Sequence, residues 1–326
     1  MKHYKSLLAV VPAKVESSPA IQRAAGLARA SGAALHLCSF VYDPAVEVAA
    51  DRVGSAVAAH VRHDIMRERK DQLERLAANL AGKGHPIECD VVWAPDEAEA
   101  VLAKALDLDA DLALKDAHHE PAPRRALFTP LDWKLMRTLP CPLMLVGPTA
   151  HAGIRRVAAA IDVLAEPAGA DGLNARVLDA AMRLSGYLGA QLDLVAVFAQ
   201  HPDIQFKAWP GAKAVYAEED AAQLQAFTAF ADLHGVAPER RHRLAGTPSV
   251  ELARFAAQNQ IDVLVVGSSY RSRWNKFLLG STTESLSQQL GADLMLIKPA
   301  DFMDVLGNKV DLAALRERCR VEQQAQ

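Results

Sequence analysis

The chain has 326 residues, a length that suits two domains, with 51% hydrophobic and 23% charged residues, an ordinary globular composition with ample material for cores. A net charge of −3 gives no global attraction to nucleic acid, and no apolar run approaches the length that spans a bilayer. The four cysteines, Cys38, Cys89, Cys141 and Cys319, are scattered without a CxxC pair, which argues against a disulfide framework or structural zinc and for reduced thiols in a cytoplasmic protein.

The opening MKHYKSLLAVVPAKVESS has a short apolar stretch but neither the h-region nor the cleavage site of a signal peptide, and Ser6–Val11 is expected to be the first strand. Helical spacing follows over 20–31 and stops at Gly32. A second strand is expected over 34–42, an irregular stretch with a short helix over 44–57, and a long charged amphipathic helix over 61–80. A third strand, Ile87–Trp93, precedes a helix over 96–106, a strand over 111–115, a helix over 130–139 and a strand, Leu143–Val146. After a linker at 147–153 the order repeats: strand 156–162, helix 174–188, strand Gln191–Phe198, helix 218–234, strand 241–244 and a helix to Asn259. A strand with Val263, Leu264, Val265 and Val266, a loop, a helical pattern from Thr282 to Leu290, and a closing strand over 294–297 complete it. Residues 310–321 suggest one more helix in the tail. Strands alternating with helices argue for parallel sheets covered on both faces.

A shift of 151 residues lays Asp262 on Asp111, Val263 on Leu112, and Leu294 on Leu143, without a gap. So long a repeat suits two similar domains in one chain rather than a solenoid. The expected division is 1–147, 154–300 and a tail at 301–326. Asp111 and Asp262 begin equivalent strands in both copies, which points to a structural turn role.

Chemistry concentrates in the second copy. Its fourth strand ends at Gly267, a polar basic loop follows, and Gly280 and Ser281 precede the next helix. Strand, glycine loop and helix N-terminus form a phosphate-receiving arrangement, because free backbone N–H groups and the positive end of the helix dipole face the anion. Ser268, Ser269, Arg271, Arg273 and Lys276 are available to hold oxygens; the plainer reading is an ordinary connection with a solvated basic face. Arg240, Arg241, His242 and Arg243 form another basic run, read as a solvated face.

The half over 155–298 resembles the universal stress protein family. Members that bind ATP carry Gly, two residues, Gly, nine residues, Gly, then Ser or Thr; here Gly267, Gly280 and Ser281 keep that spacing and Tyr270 replaces the second Gly. The resemblance extends to nearly the whole chain as two copies, like the family's tandem-domain subgroup. It implies two tandem flavodoxin-like, Rossmann-like α/β domains, each with a five-stranded parallel sheet flanked by helices, paired as an intramolecular pseudo-dimer. It implies a cytoplasmic stress-response protein that binds ATP or another adenine nucleotide, with Mg accompanying the nucleotide at most. By the same resemblance Asp162 matches an acidic residue near adenine and ribose, and Val197 a position whose backbone faces adenine. The nucleotide set is then Asp162, Val197, Gly267, Ser268, Ser269, Arg271, Gly280, Ser281 and Thr282. Asp162 reads equally as the cap of the loop that follows it.

The first copy departs from this pattern: Asp116 stands for Gly267, His119 for Tyr270, Thr129 for Gly280 and Pro130 for Ser281, and its first strand ends in Val11 and Pro12. A carboxylate at Asp116 would repel phosphate, so the first domain is expected to be structural. No G-x-S-x-G elbow, HExxH or Walker lysine is present, and no paired acid and base stands out for catalysis. Slow ATP hydrolysis would need Asp162 or a loop residue to position a water. His60 with His63, and His118 with His119, lack the companions of a metal site. Two other functions stay open: a scaffold that binds a partner without nucleotide, and a carrier of an apolar or lipid-like metabolite, with Tyr270, Trp274, Phe277 and Leu278 lining its pocket. A homodimer is compatible with either; a membrane or nucleic acid is not expected as a partner.

Overall fold

Five parallel strands, β1 (Ser6–Val11), β2 (Ala34–Val41), β3 (Ile87–Trp93), β4 (Leu112–Asp116) and β5 (Leu143–Val146), form the first sheet in the order β3-β2-β1-β4-β5. Five more, β6 (Arg156–Ile161), β7 (Gln191–Phe198), β8 (Arg241–Ala245), β9 (Val263–Gly267) and β10 (Asp293–Ile297), repeat it as β10-β9-β6-β7-β8. The structure, a computed structural model, describes residues 3–12, 14–81, 86–117, 130–148, 153–163, 172–198, 212–268, 286, 290–308, 311 and 314–315. Both orders are those of a Rossmann-like half, in which the chain starts in the middle, builds to one side, then crosses to the other.

The sheet centres are apolar on both faces because helices cover both. Leu7 pairs with Leu35 on one side and Leu112 on the other; Val157 pairs likewise with Leu192 and Val263. Leu7, Leu35, Leu112, Val157 and Val263 are all buried. The helices of the first sheet are α1 (Pro19–Ser31), α2 (Pro44–Val53), α3 (Ser55–Leu80), α4 (Glu97–Asp107) and α5 (Pro130–Thr138). Those of the second are α6 (Leu173–Leu188), α7 (Ala212–Leu233) and α8 (Pro248–Gln258). The equivalent helices α1 and α6 both stop at a left-handed glycine, Gly32 at φ 76° and Gly189 at φ 63°, a conformation that costs other residues the clash of a Cβ.

Among the described residues, those up to Gly153 and those from Asp301 onward belong to one compact unit, and those from Ile154 to Ala300 to the other. The first unit thus includes a short helix, α9 (Phe302–Gly307), with Phe302 and Leu306 buried. The sequence gives no hint of it; the helix expected over 310–321 falls almost wholly outside the described residues. A regular α2 replaces the irregular stretch expected over 44–57. Val48, Val57 and Val61 of α2 and α3 lie exposed, so the apolar spacing there does not follow the buried face.

Asp111 and Asp262 do the same work in both copies. The Asp111 carboxylate accepts the backbone N–H groups of Lys5 (2.6 Å) and Ser6 (3.1 Å); Asp262 accepts those of Arg155 (2.7 Å) and Arg156 (2.9 Å). Each ties the start of the sheet's fourth strand to the start of its first.

Candidate functional site

In a doubly wound sheet, ligands bind beyond the carboxyl ends of the strands, where the order reverses. In the second unit that point is the end of β6, flanked by β9 and β7. Asp162 follows β6 directly and is exposed. Its backbone is clamped to the first turn of α6, for Asn174 Oδ1 accepts the Asp162 N–H (2.9 Å) and Asn174 Nδ2 donates to the Asp162 carbonyl (2.8 Å). On the other side of β6, the ladder between β6 and β7 ends at Ile161 and Ala196. Val197 is one residue beyond it, and pairs only outward, with Leu244.

Gly267 closes β9 against the same helix end. A Cβ at this position would stand 2.7 Å from Leu173 Cδ2 and 2.8 Å from Cγ, closer than carbon atoms approach without displacement. Glycine is therefore a packing requirement where β9 meets α6. Ser268 comes next and is buried; its N–H donates to the Ile297 carbonyl (2.8 Å). Its hydroxyl accepts from Lys298 Nζ at 3.3 Å, and Lys298 is only 5% exposed. Burial pushes the Lys298 ammonium down to about 7. Arg176 of α6 donates from Nε to the Lys298 carbonyl (2.9 Å). Asp162, Gly267 and Ser268 thus gather around the start of α6, with Val197 on the next strand. Ser269, Arg271, Gly280, Ser281 and Thr282 lie outside the described residues, as do Tyr270, Arg273, Trp274, Lys276, Phe277 and Leu278.

The same place in the first unit is filled by the chain's own groups. Asp116, in the position of Gly267, accepts the Ala20 N–H in the first turn of α1 (2.9 Å). Ser18 caps the same turn, accepting from the Ile21 N–H (3.4 Å). A carboxylate on a helix N-terminus occupies the place where an external anion would be held. Beside it, Lys115 Nζ lies 2.9 Å from Asp132 Oδ1, both side chains buried, and also donates to the Asp116 carbonyl (3.0 Å). Burial pushes the carboxyl of neighbouring Glu97 up, against the pull of Lys115. Pro130 opens α5, where its missing N–H is not needed. The corner past β2 and β3 is packed as well: Trp93 Nε1 and Arg62 Nη2 both donate to Glu47 Oε1, at 3.1 and 2.7 Å. Arg62 lies 5.0 Å over the Trp93 ring.

The basic run at 240–243 is a solvated face only in part: Arg243 is exposed, and the other three side chains meet acids. Asp193, wholly buried at the amino end of β7, receives His242 Nε2 at 2.9 Å and Arg156 Nη2 at 2.8 Å, with Arg240 Nη1 at 3.6 Å. Burial raises its carboxyl, but the bonds from His242 and Arg156 outweigh it and hold the group below the usual carboxylate range. Arg241 pairs with Asp232 at 2.7 Å. His60 lies 3.4 Å from Asp64, and among the described residues no group of three or more His, Cys, Asp and Glu side chains is disposed to hold a metal ion. His118 and His119 lie outside them. No helix among the described residues is long and apolar enough to cross a membrane.

A model of the universal stress protein family matches residues 3–147 and again 154–298. The chain belongs to that family. It is similar to the universal stress protein E of Escherichia coli, 25% identical over 305 residues that cover 93% of this chain and 96% of the relative. A homolog of universal stress protein E in Haemophilus influenzae is 23% identical, covering 80% of this chain and 85% of its own. Among solved structures, a candidate universal stress protein from Pseudomonas aeruginosa superposes with a TM-score of 0.71 at 22% identity, covering 97% of this chain and 98% of that one. A universal stress protein from Archaeoglobus fulgidus gives 0.55 at 13% identity, covering 90% and 98%. At these identities the structural likeness shows the fold, two tandem α/β domains of the universal stress protein kind.

Sequence reasoning did not find Asn174, Arg176 or Lys298. A lysine directly after the buried run of β10 reads in sequence as a strand end at the surface, so nothing marked Lys298.

Proposed function

We propose that the second domain binds an adenine nucleotide at the carboxyl ends of β6, β7 and β9, and that this universal stress protein acts in the stress response, in a reducing cytoplasm, through that site. The observation that carries the reading is the asymmetry between the two helix ends. In the first unit the α1 N-terminus holds Ser18 and the Asp116 carboxylate. In the second, the N-cap of α6 is Gly172, its first turn has no acidic residue, and Gly267 replaces the carboxylate. The Asp162 carboxylate at the switch point is suited to a ribose hydroxyl, and the backbone of Val197 to an adenine edge. Ser268, Ser269, Arg271, Gly280, Ser281 and Thr282 would hold the phosphates, with Mg on them if a triphosphate binds.

Isothermal titration of the full chain with ATP, ADP and AMP tests this, together with mass spectrometry of whatever is released from the purified protein. One nucleotide per chain is expected, with Asp162→Ala weakening it about tenfold, as loss of a hydrogen bond to a charged group does. Absence of heat with all three, together with no nucleotide released, overturns the reading; an acyl compound released instead would favour a carrier of apolar metabolites.

A further inference from the structure

We propose that Lys298 is the residue of the second domain that meets the phosphate end of a bound nucleotide, together with Ser268, and that it takes up a proton as it does so. This rests on the nucleotide reading above and adds to it a named cation and a change of charge.

Lysine is rarely buried as deeply as 5% exposure. Four apolar carbons would let it reach solvent from most positions near a surface. Here it stays inside, at the carboxyl end of β10, with its nitrogen 3.3 Å from the hydroxyl of Ser268 at the carboxyl end of β9. The two strands are paired in register up to Gly267 and Ile297, the residues just before this pair. The amine and the hydroxyl therefore stand side by side on the end of the sheet where the switch point lies, and where the glycine loop departs.

Burial makes the amine responsive. Arg176 of α6 bonds the Lys298 carbonyl, Ser268 at the end of β9 offers its hydroxyl to the amine, and Asp162 follows β6, two strands away past β9. Burial accounts for the lowered affinity of the amine for its proton, so near neutrality much of it is uncharged. A phosphate brought to Ser268 places negative charge beside it and reverses that balance. The proton comes from water or buffer, one N–H bond forms, and the ammonium then makes a charge-assisted hydrogen bond to a phosphate oxygen. Binding and proton uptake are linked, so the affinity falls as pH rises through about 7.

The test is titration of ATP into the full chain at pH 8 in two buffers of different ionisation enthalpy, which counts the protons taken up. Wild type is expected to take up about one proton per nucleotide, as linkage requires for a group mostly neutral beforehand. Lys298→Met should take up none and bind roughly ten- to a hundredfold more weakly, the loss of a hydrogen bond between charged groups. Lys298→Arg, charged throughout, should bind without uptake. Nucleotide binding with no proton uptake in wild type, or with the same uptake in Lys298→Met, overturns the proposal and leaves the nucleotide reading standing. No heat for wild type in either buffer removes both. Should Lys298→Met fail to fold, wild type and Lys298→Arg decide the matter.

Discussion

Replacing Gly267 by alanine probes the point where β9 meets α6. The added carbon would sit 2.7 Å from Leu173 Cδ2, 2.8 Å from Cγ and 3.3 Å from Cδ1. Contact with Cγ matters most, since that atom moves only if the whole side chain turns or α6 shifts. Overpacking of this kind costs about 1–3 kcal/mol. Against it stands the smaller freedom of alanine in the unfolded chain, about 0.4–1 kcal/mol in favour of the variant where the backbone conformation suits alanine. The φ of Gly267 is outside the left-handed region, so this gain applies in full. A net loss of about 1–2 kcal/mol remains, which at about 2–4 °C per kcal/mol for a domain of this size lowers the midpoint by roughly 2–8 °C. Scanning calorimetry of the full chain measures it. Leu173→Ala in the same background should recover much of the loss, with a coupling energy of about 1–2 kcal/mol in a double-mutant cycle. Gly267→Ala as stable as wild type, or two substitutions that simply add, would refute the steric argument.

Other perturbations read other parts of the molecule. Asp262→Ala and Asp111→Ala each strip a carboxylate from two backbone N–H groups, so each should cost about 2–4 kcal/mol by urea denaturation, and the two should be alike. Lys115→Met alone removes the ammonium 2.9 Å from the buried Asp132 carboxylate and should cost about 3–5 kcal/mol, whereas Lys115→Met with Asp132→Leu should be near neutral in the same assay. Asp193 has its folded pKa depressed, so its contribution is complete above the unfolded value near ~3.9 and is lost as pH falls through the lower folded value. Stability measured between pH 6 and 2 should therefore fall less steeply for Asp193→Asn than for wild type; parallel curves would show that the cluster does not act this way.

The central strands were legible because a strand covered on both faces must be apolar throughout, as Leu143–Val146 and Val263, Leu264, Val265 and Val266 are. The repeat made Asp111 and Asp262 legible as well, since the same acid before the same strand in a copy without the glycine loop has a structural explanation. α2 was legible only as a short helix in an irregular stretch, and the first turns of α3 were missed, because Val48 in the one and Val57 and Val61 in the other face outward and break the 3.6-residue pattern. The basic run at 240–243 misled for a different reason: its partner Asp193 lies 49 residues before His242. An acid inside the apolar run QLDLVAVF was the sign that a cation must meet it. Charge is visible in sequence, burial is not, and Lys298 shows the difference. Its position after β10 reads as a strand end at the surface, and only packing reveals that the side chain stays inside.

The carboxylate of Asp116 on the α1 helix end has a consequence for titration behaviour. A tethered group competes at an effective concentration of the order of millimolar or above, set by the chain and beyond the reach of metabolism. If the second domain binds nucleotide as proposed, while the α1 helix end already holds a carboxylate of its own chain, a rising ligand should meet one site per chain and give a hyperbolic response.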